Sequence, residues 1–435
     1  MKSLIISSNG SGGGKTTFTL GLMKALKDRG YDVQGYKAGP DYIDPGFHKE
    51  VTKVESRNLD LFLMGEEGVL ASYNRGKGEI GIIEGVMGLY DGRGIDTDYS
   101  TYHLSKVLDN TPILLVITPK AQSVTLCAEL NGIKDFRNAN IVGVVLNKVS
   151  EKYYKLLKSA IEVNCHMKVF GYIPKDESIA LESRHLGLVQ SVEVKNIMEK
   201  INRVNDLIES YVDVDGIIDH LKERKISEDR FHVKNIGLKT AVAYDEAFRF
   251  YYKENLELLE ELGEIKYFSP LNDEKIPEDI DFLYLGGGYP EVFKEELSRN
   301  ISMRSSIKKA LENGLKCYGE CGGLMYLMEE IDGEKMVGFF NGKTRMTKSL
   351  NRFGYAKVTM KNNLHISINC HEFHKSTIDT GEEAIYDVEK QGYDGELLKW
   401  NCGYFNNNTL AGYPHIHFFG NLDFLMNLVS LNNKN

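Results

Sequence analysis

The stretch Ser3–Thr17, SLIISSNGSGGGKTT, decides the fold of the first half of the chain. Leu4, Ile5 and Ile6 make a short apolar strand, Gly10, Gly12, Gly13 and Gly14 fall in the loop after it, and Lys15, Thr16 and Thr17 open a helical pattern. Strand, glycine-rich loop and helix in this order form a cradle for a polyphosphate. The glycines let backbone N–H groups turn toward phosphate oxygens, and the helix N-terminus adds a favourable dipole. Lys15 then reaches the outer phosphates, and a threonine hydroxyl can hold Mg²⁺. Asn9 stands where the strict pattern has glycine, so the loop is a variant of it. ATP or GTP is the expected ligand; phosphate binding alone names no reaction.

Working outward, Phe18, Leu22, Ala25 and Leu26 recur at helical spacing up to Gly30, and Val33–Tyr36 reads as the next strand. Strand, helix and strand at this spacing make a βαβ unit with parallel strands. The loop KAGPDYIDPGFH, Lys37–His48, carries Asp41 and Asp44 between two prolines. At a strand's C-terminal end, beside a phosphate loop, it lies where α/β sheets place their ligands. Ile80–Ile83, Ile113–Ile117, Ile141–Leu146 and Val169–Ile173 continue the rhythm as strands. Glu84, ending the first of these, is the candidate Mg²⁺ ligand. Asn147, at another strand end, either reads a nucleotide base through its amide or caps a helix. Arg184 and His185, adjacent on a loop, either suit a carboxylate or are solvated surface. Val194–Val233 reads as helical and heavily charged, and the drop in charge density after Asn235 marks a linker. The expected domains are 1–230 and 236–435.

The 435 residues suffice for two or three domains, and 42% hydrophobic with 26% charged residues is an ordinary soluble composition. The apolar runs are too short to span a bilayer, and no apolar signal segment opens the chain, so a cytoplasmic protein without membrane partners is expected. A net charge of −9 argues against a general nucleic-acid surface, while leaving room for local cations that bind an anionic substrate. The six cysteines are scattered, which predicts free thiols.

The second half restarts the α/β rhythm. Leu238–Tyr244 reads as a strand, Phe248–Leu262 as an amphipathic helix stopped by Gly263, and Ile265–Phe268 and Phe282–Leu285 as strands. The last opens into GGGYPE, Gly286–Glu291, which lacks a Lys-Thr pair; bare N–H groups there, as at Gly287 and Gly288, are expected to face an oxyanion. In KCYGECGGLMYL, Gly319, Cys321 and Gly323 have the spacing of a nucleophile elbow, with Gly322 a further candidate oxyanion donor. A thiol nucleophile needs a base, and the candidates are His371, His374, His415 and His417. Alternation along His415-Ile416-His417-Phe418 on a strand would put both histidines on one face, with Ile416 and Phe418 in the core, which favours a Cys-His pair.

With these residues assembled, the chain resembles the cobyrinic acid a,c-diamide synthase family over nearly its whole length. The resemblance runs through the variant loop Ser8–Thr17, KAGPDYIDPGFH, RNLDLFLM, EGVMGLYDG, SRHLGLV, AFRFYYKENLELLEELG, YLGGGYPE, GECGGLMYL, CHEFH and YPHIHF, in that order. It implies an α/β fold, with an N-terminal P-loop, dethiobiotin-synthetase-like parallel-sheet domain and a C-terminal class I glutamine amidotransferase-like domain. It also implies ATP, Mg²⁺ and L-glutamine as reactants and cofactor, and a tetrapyrrole polycarboxylate as substrate; a homodimer is left open. By this resemblance Cys321 attacks the glutamine amide and releases ammonia, and His415 is its base. The place two residues on, where such enzymes carry a glutamate, is His417, so a dyad is expected. Lys15 would stabilise the transferred γ-phosphate, with Gly10, Gly12, Gly13, Gly14, Thr16, Thr17 and Asn147 around the nucleotide. Thr16 and Glu84 would hold Mg²⁺, and Asp44 would assist at the metal or orient the substrate's acetate. Lys37, Asp41, Arg57 and Arg184 would anchor the substrate. The expected reaction amidates the a- and c-acetates of cobyrinic acid in cobalamin biosynthesis; nickel sirohydrochlorin, in coenzyme F430 biosynthesis, and hydrogenobyrinic acid are the alternatives. A P-loop partitioning ATPase would explain the first half but leave the cysteine elbow unused.

Overall fold

Apolar runs buried on both faces and separated by amphipathic helices pair as parallel strands. The computed structural model describes residues 1–179, 183–184, 187–188, 196–224, 228–361 and 366–430. In its first half, β1 (Lys2–Ser7), β2 (Val33–Ala38), β3 (Arg57–Leu59), β4 (Ile80–Glu84), β5 (Ile113–Ile117), β6 (Ile141–Asn147) and β7 (Val169–Ile173) pair in parallel in the order β3-β2-β4-β1-β5-β6-β7. The helix α1 (Lys15–Asp28) buries Phe18, Leu22, Met23 and Leu26, and a later helix, Ile197–Tyr211, brings Ile201, Val204, Leu207 and Ile208 into the same core. This strand order sets β1 between β4 and β5, so the glycine loop and Glu84 share one edge. Register then pairs Glu84 with Ile6 on one side and with Lys37 on the other.

The chain divides into two compact units, Met1–Leu61 with Val69–Asp229, and Phe62–Gly68 with Arg230–Asn435. The excursion at 62–68 falls in a helical stretch, Leu61–Arg75, that breaks at Gly65 (φ 67°, ψ 179°). A linear reading assigns these seven residues to the first domain; Phe62 instead stacks on Tyr355, ring centroids 4.5 Å apart.

The second unit is built on a mixed sheet. Its strands are β8 (Leu238–Ala243), β10 (Gly263–Phe268), β11 (Phe282–Leu285), β13 (Lys316–Glu320), β14 (Arg352–Met360), β15 (Ser367–His374), β16 (Ala384–Gln391), β17 (Leu397–Asn406), β18 (Thr409–Gly412) and β19 (His415–Ile416). They follow the order β10-β8-β11-β13-β18-β17-β16-β14-β15-β19, parallel as far as β18 and antiparallel beyond it. Two short strands, β9 (Phe248–Phe250) and β12 (Gly287–Gly288), form a separate antiparallel ribbon.

That ribbon corrects the helix expected over Phe248–Leu262, which begins only at Lys253 and ends at Gly263 as expected. The aromatic run Phe248–Tyr252 favours extended backbone, and its pairing partner lies far along the chain, where local periodicity carries no trace of it. The ribbon also turns part of the expected open glycine loop into strand.

Candidate active site

In the first unit, β1 delivers the chain into the glycine loop and α1 leaves it. Gly14 caps α1 at φ 94°, a left-handed value that glycine takes freely, and a Cβ there would lie 2.2 Å from Asn147 Nδ2. Asn147 donates to Gly13 O (3.3 Å) and to Thr118 Oγ1 (3.0 Å), and Thr118 Oγ1 donates to Gly13 O (3.1 Å). The amide thus braces the loop from behind. The helix-cap alternative for Asn147 is overturned, because Ser150 caps the following helix by accepting from Tyr153 N. Asn9 is not among the positive-φ residues, so the loop loses nothing there by lacking glycine; its amide donates to Glu129 Oε1 at 2.5 Å.

Lys15 folds back over the loop, its ammonium donating to Gly10 O (2.9 Å) and Met87 O (2.5 Å). Burial, and then the nearby Lys37, bring its pKa down to about 8. Beneath it lies a buried charged cluster. Lys37 Nζ donates to Asp44 Oδ2 and to Glu84 Oε1 (3.0 Å), with Asp41 Oδ2 at 3.8 Å. Thr16 Oγ1 donates to Glu84 Oε1 (2.5 Å), and His48 Nε2 lies 2.9 Å from Glu84 Oε2. Asp41 Oδ1 accepts from the N–H groups of Ile43 and Asp44, which fixes the turn that presents Asp44.

Burial opposes every charge here. Against it, Asp44, Glu84 and Asp41 hold the Lys37 ammonium above its usual pKa, and Lys37, His48 and Thr16 hold Glu84 below the usual carboxylate range. Asp44 goes the other way, raised by burial, Asp41 and Glu84. Lys37 thus bridges Asp44 and Glu84, while burial and the neighbouring carboxylates work against charge on Asp44. Lys37→Met should destabilise the protein by about 3–5 kcal/mol, since it strands buried carboxylates; urea denaturation measures it.

The donor set fits Mg²⁺: a hydroxyl and carboxylates, all hard oxygens. Among the described residues no three His, Cys, Asp or Glu side chains form a metal site by themselves. Lys37, expected as a substrate anchor, is placed inside this cluster, and Arg57 is buried on β3. The Arg184 side chain and His185 lie outside the described residues. His48 escaped the sequence reading, although it ends the same KAGPDYIDPGFH stretch; the loop expected there gives way at Asp44 to a helix, Asp44–Thr52, which carries His48.

In the second unit, Cys321 sits between β13 and the helix Gly322–Leu327 at φ 47°, ψ −96°. This strained backbone is that of a nucleophile elbow. Its N–H donates to Gly412 O (2.7 Å), tying the elbow to the end of β18. Three residues later the chain presents His415, whose imidazole interacts electrostatically with the Cys321 thiol. Burial works to lower the His415 pKa, but Cys321 and Glu320 raise it to about 10.

The glycines close in around this pair. A Cβ on Gly322 would lie 3.0 Å from Gly288 N, and one on Gly287 would lie 2.4 Å from His415 Cε1. All three glycines expected at an oxyanion site thus meet beside Cys321 and His415.

The other candidate histidines have different surroundings. His371, paired with His415 across β15 and β19, is held down to about 3 by burial and then by His415. His374 stacks on Tyr413, and its Nδ1 lies 2.9 Å from Ser376 O. The expectation that His415 and His417 share one strand face is corrected: β19 ends at Ile416, and a 3₁₀ turn, Phe418–Gly420, follows. His417 Nδ1 accepts from Phe419 N (3.2 Å) within that turn, and its Nε2 lies 3.4 Å from Glu254 Oε2. Ile416 and Phe418 are buried, as expected.

One acidic group was missed. Glu320, immediately before the nucleophile, puts Oε2 at 3.7 Å from His415 Nδ1 and accepts from Ile416 N through Oε1 at 3.4 Å. Sequence spacing directed attention two residues after the histidine, whereas the carboxylate comes from the strand before the cysteine.

A phosphate-loop unit joined in one chain to a thiol–imidazole unit defines a class, the glutamine-dependent amide ligases. Residues 4–189 match the family model of the CobQ/CobB/MinD/ParA nucleotide binding domain, and residues 239–422 that of the CobB/CobQ-like glutamine amidotransferase domain. Over 99% of its length the chain is 61% identical to the cobyrinate a,c-diamide synthase of Clostridium acetobutylicum, covering 100% of that protein. Those of Clostridium tetani (57%; 99% of this chain, 100% of that one) and Listeria innocua (43%; 98% and 99%) are further relatives. The chain belongs to the cobyrinate a,c-diamide synthase family. Among the described residues no helix is long and apolar enough to cross a membrane.

Proposed function

We propose that the protein amidates the a- and c-acetate carboxylates of cobyrinic acid in cobalamin biosynthesis, using ATP and glutamine. The observation that carries this reading is the presence in one chain of a phosphate cradle backed by Thr16 and Glu84 and of a Cys321–His415 pair ringed by glycines. A carboxylate is a poor electrophile, so nitrogen must be released at one centre and the carboxyl activated at the other.

At Cys321 the thiol proton passes to His415, and the thiolate sulfur attacks the glutamine amide carbon. Backbone N–H groups at Gly288 and Gly322 would face the resulting oxyanion. The C–N bond breaks as the imidazolium returns the proton to the leaving nitrogen; water then cleaves the thioester, giving glutamate and free thiol. In the first unit Lys15 steadies the γ-phosphoryl group as it moves from ATP to the substrate carboxylate, leaving ADP. Thr16, Glu84 and Asp44 would hold Mg²⁺, which when bound offsets the phosphate charge. Ammonia displaces phosphate from the acyl phosphate, losing a proton to give the amide.

The test is to offer cobyrinic acid, nickel sirohydrochlorin and hydrogenobyrinic acid separately with ATP, Mg²⁺ and glutamine, and to follow product mass. Two successive amidations of cobyrinic acid are expected. Turnover of only one of the other tetrapyrroles would reassign the substrate.

A further inference from the structure

The geometry points to Glu320 as the residue that positions His415, completing from the strand before the nucleophile a triad that His+2 spacing does not supply. This rests on the reading of Cys321 as nucleophile and His415 as base. The Glu320 side chain is buried, 1% exposed, and its two oxygens straddle His415 Nδ1 at 3.7 Å and the backbone N–H of Ile416 at 3.4 Å. One carboxylate therefore addresses both the ring and the strand that carries it.

A neutral imidazole has a single N–H. A carboxylate at Nδ1 keeps that hydrogen there and leaves the Nε2 lone pair for the thiol proton. As the Sγ–H bond breaks and Nε2–H forms, the ring becomes an imidazolium with both nitrogens protonated, facing the carboxylate at Nδ1. Glu320 gains and loses no proton. The present 3.7 Å is longer than a direct hydrogen bond, and catalytic contacts of this kind tighten when the reacting complex forms.

The surroundings support the role. Gly287 backs the ring, since a Cβ there would meet Cε1 at 2.4 Å and Nδ1 at 3.3 Å. His371, alongside on β15, is kept neutral by burial, and burial likewise keeps the phenols of Tyr284, Tyr318 and Tyr386 around Glu320 protonated. His417, at the position where a triad glutamate would stand, is turned to Glu254.

Glutamate release from glutamine, which needs no tetrapyrrole, reads this proposal independently of the substrate assignment. Glu320→Gln should lower kcat for glutamate release on the order of 10²-fold or more, with KM changed little, because the amide permits the wrong tautomer. Alkylation of Cys321 by iodoacetamide should need a higher pH in this variant, and Glu320→Asp should recover much of both. Combined with His415→Asn, Glu320→Gln should add little further loss, as expected of groups acting as one unit. Full glutamate release in Glu320→Gln, or equal losses in Gln and Asp with an unmoved alkylation profile, would overturn the proposal in favour of a strut for Ile416. Ammonia-dependent synthesis in the same preparations checks folding. If Glu320→Gln does not fold, the wild-type protein decides: with ¹⁵N-labelled histidine, the signal lost in His415→Asn, followed above the ring's pKa of about 10, must show the neutral ring protonated at Nδ1, and protonation at Nε2 overturns the assignment.

Discussion

Cys321→Ala should abolish glutamine-dependent amidation while ammonium salts still support synthesis at close to the unaltered rate. Without Sγ there is no thioester, and loss of a catalytic nucleophile costs on the order of 10⁴-fold or more in kcat. The variant should fold normally: alanine has the same small Cβ at the left-handed φ, and the tie from its N–H to Gly412 O is kept. Product mass with glutamine and, separately, with ammonium at alkaline pH makes the measurement. Equal loss with both nitrogen sources would place Cys321 outside ammonia release.

Lys15→Ala should give the reciprocal pattern, with synthesis lost on the order of 10³-fold from either nitrogen source and glutamate release preserved. Its ammonium is buried against two carbonyl oxygens and beside Lys37, which brings the pKa from 10.5 to about 8. A lowered pKa in a base means that folding disfavours its charge, so removing the ammonium should not destabilise the protein below about pH 8. Polyphosphate restores the preference for the charged form. ATP binding to the wild-type protein at pH 8 should therefore take up about half a proton, read by calorimetry in buffers of differing ionisation enthalpy, and the uptake should vanish in Lys15→Ala. Below pH 7 the ammonium is already formed, and uptake should fade. Uptake that persists in the variant would assign the proton to another group.

Much of the molecule was legible in one dimension. The apolar runs at Ile113–Ile117 and Val169–Ile173 became strands with those bounds, because a run of about five apolar residues between helices has one good place, the middle of a parallel sheet. The cysteine elbow was equally plain, since a strained turn with a side chain at its apex needs small neighbours on both sides. What failed was whatever depends on partners remote in sequence. Phe248–Phe250 left the expected helix for a ribbon with Gly287–Gly288, and Phe62–Gly68 joined the unit formed by the second half.

The amino-acid sequence by itself determined the phosphate loop, the thiol elbow and the succession of two α/β units, because glycine geometry and apolar periodicity act over a few residues. Only the tertiary structure decided how charges are shared. Register across β2 and β4 sets Lys37 against Glu84, the return of β18 to the elbow brings His415 to Cys321, and the end of β19 at Ile416 turns His417 away to Glu254. Electrostatic pairing acts through space over a few ångströms, and those distances exist only once the sheets have formed.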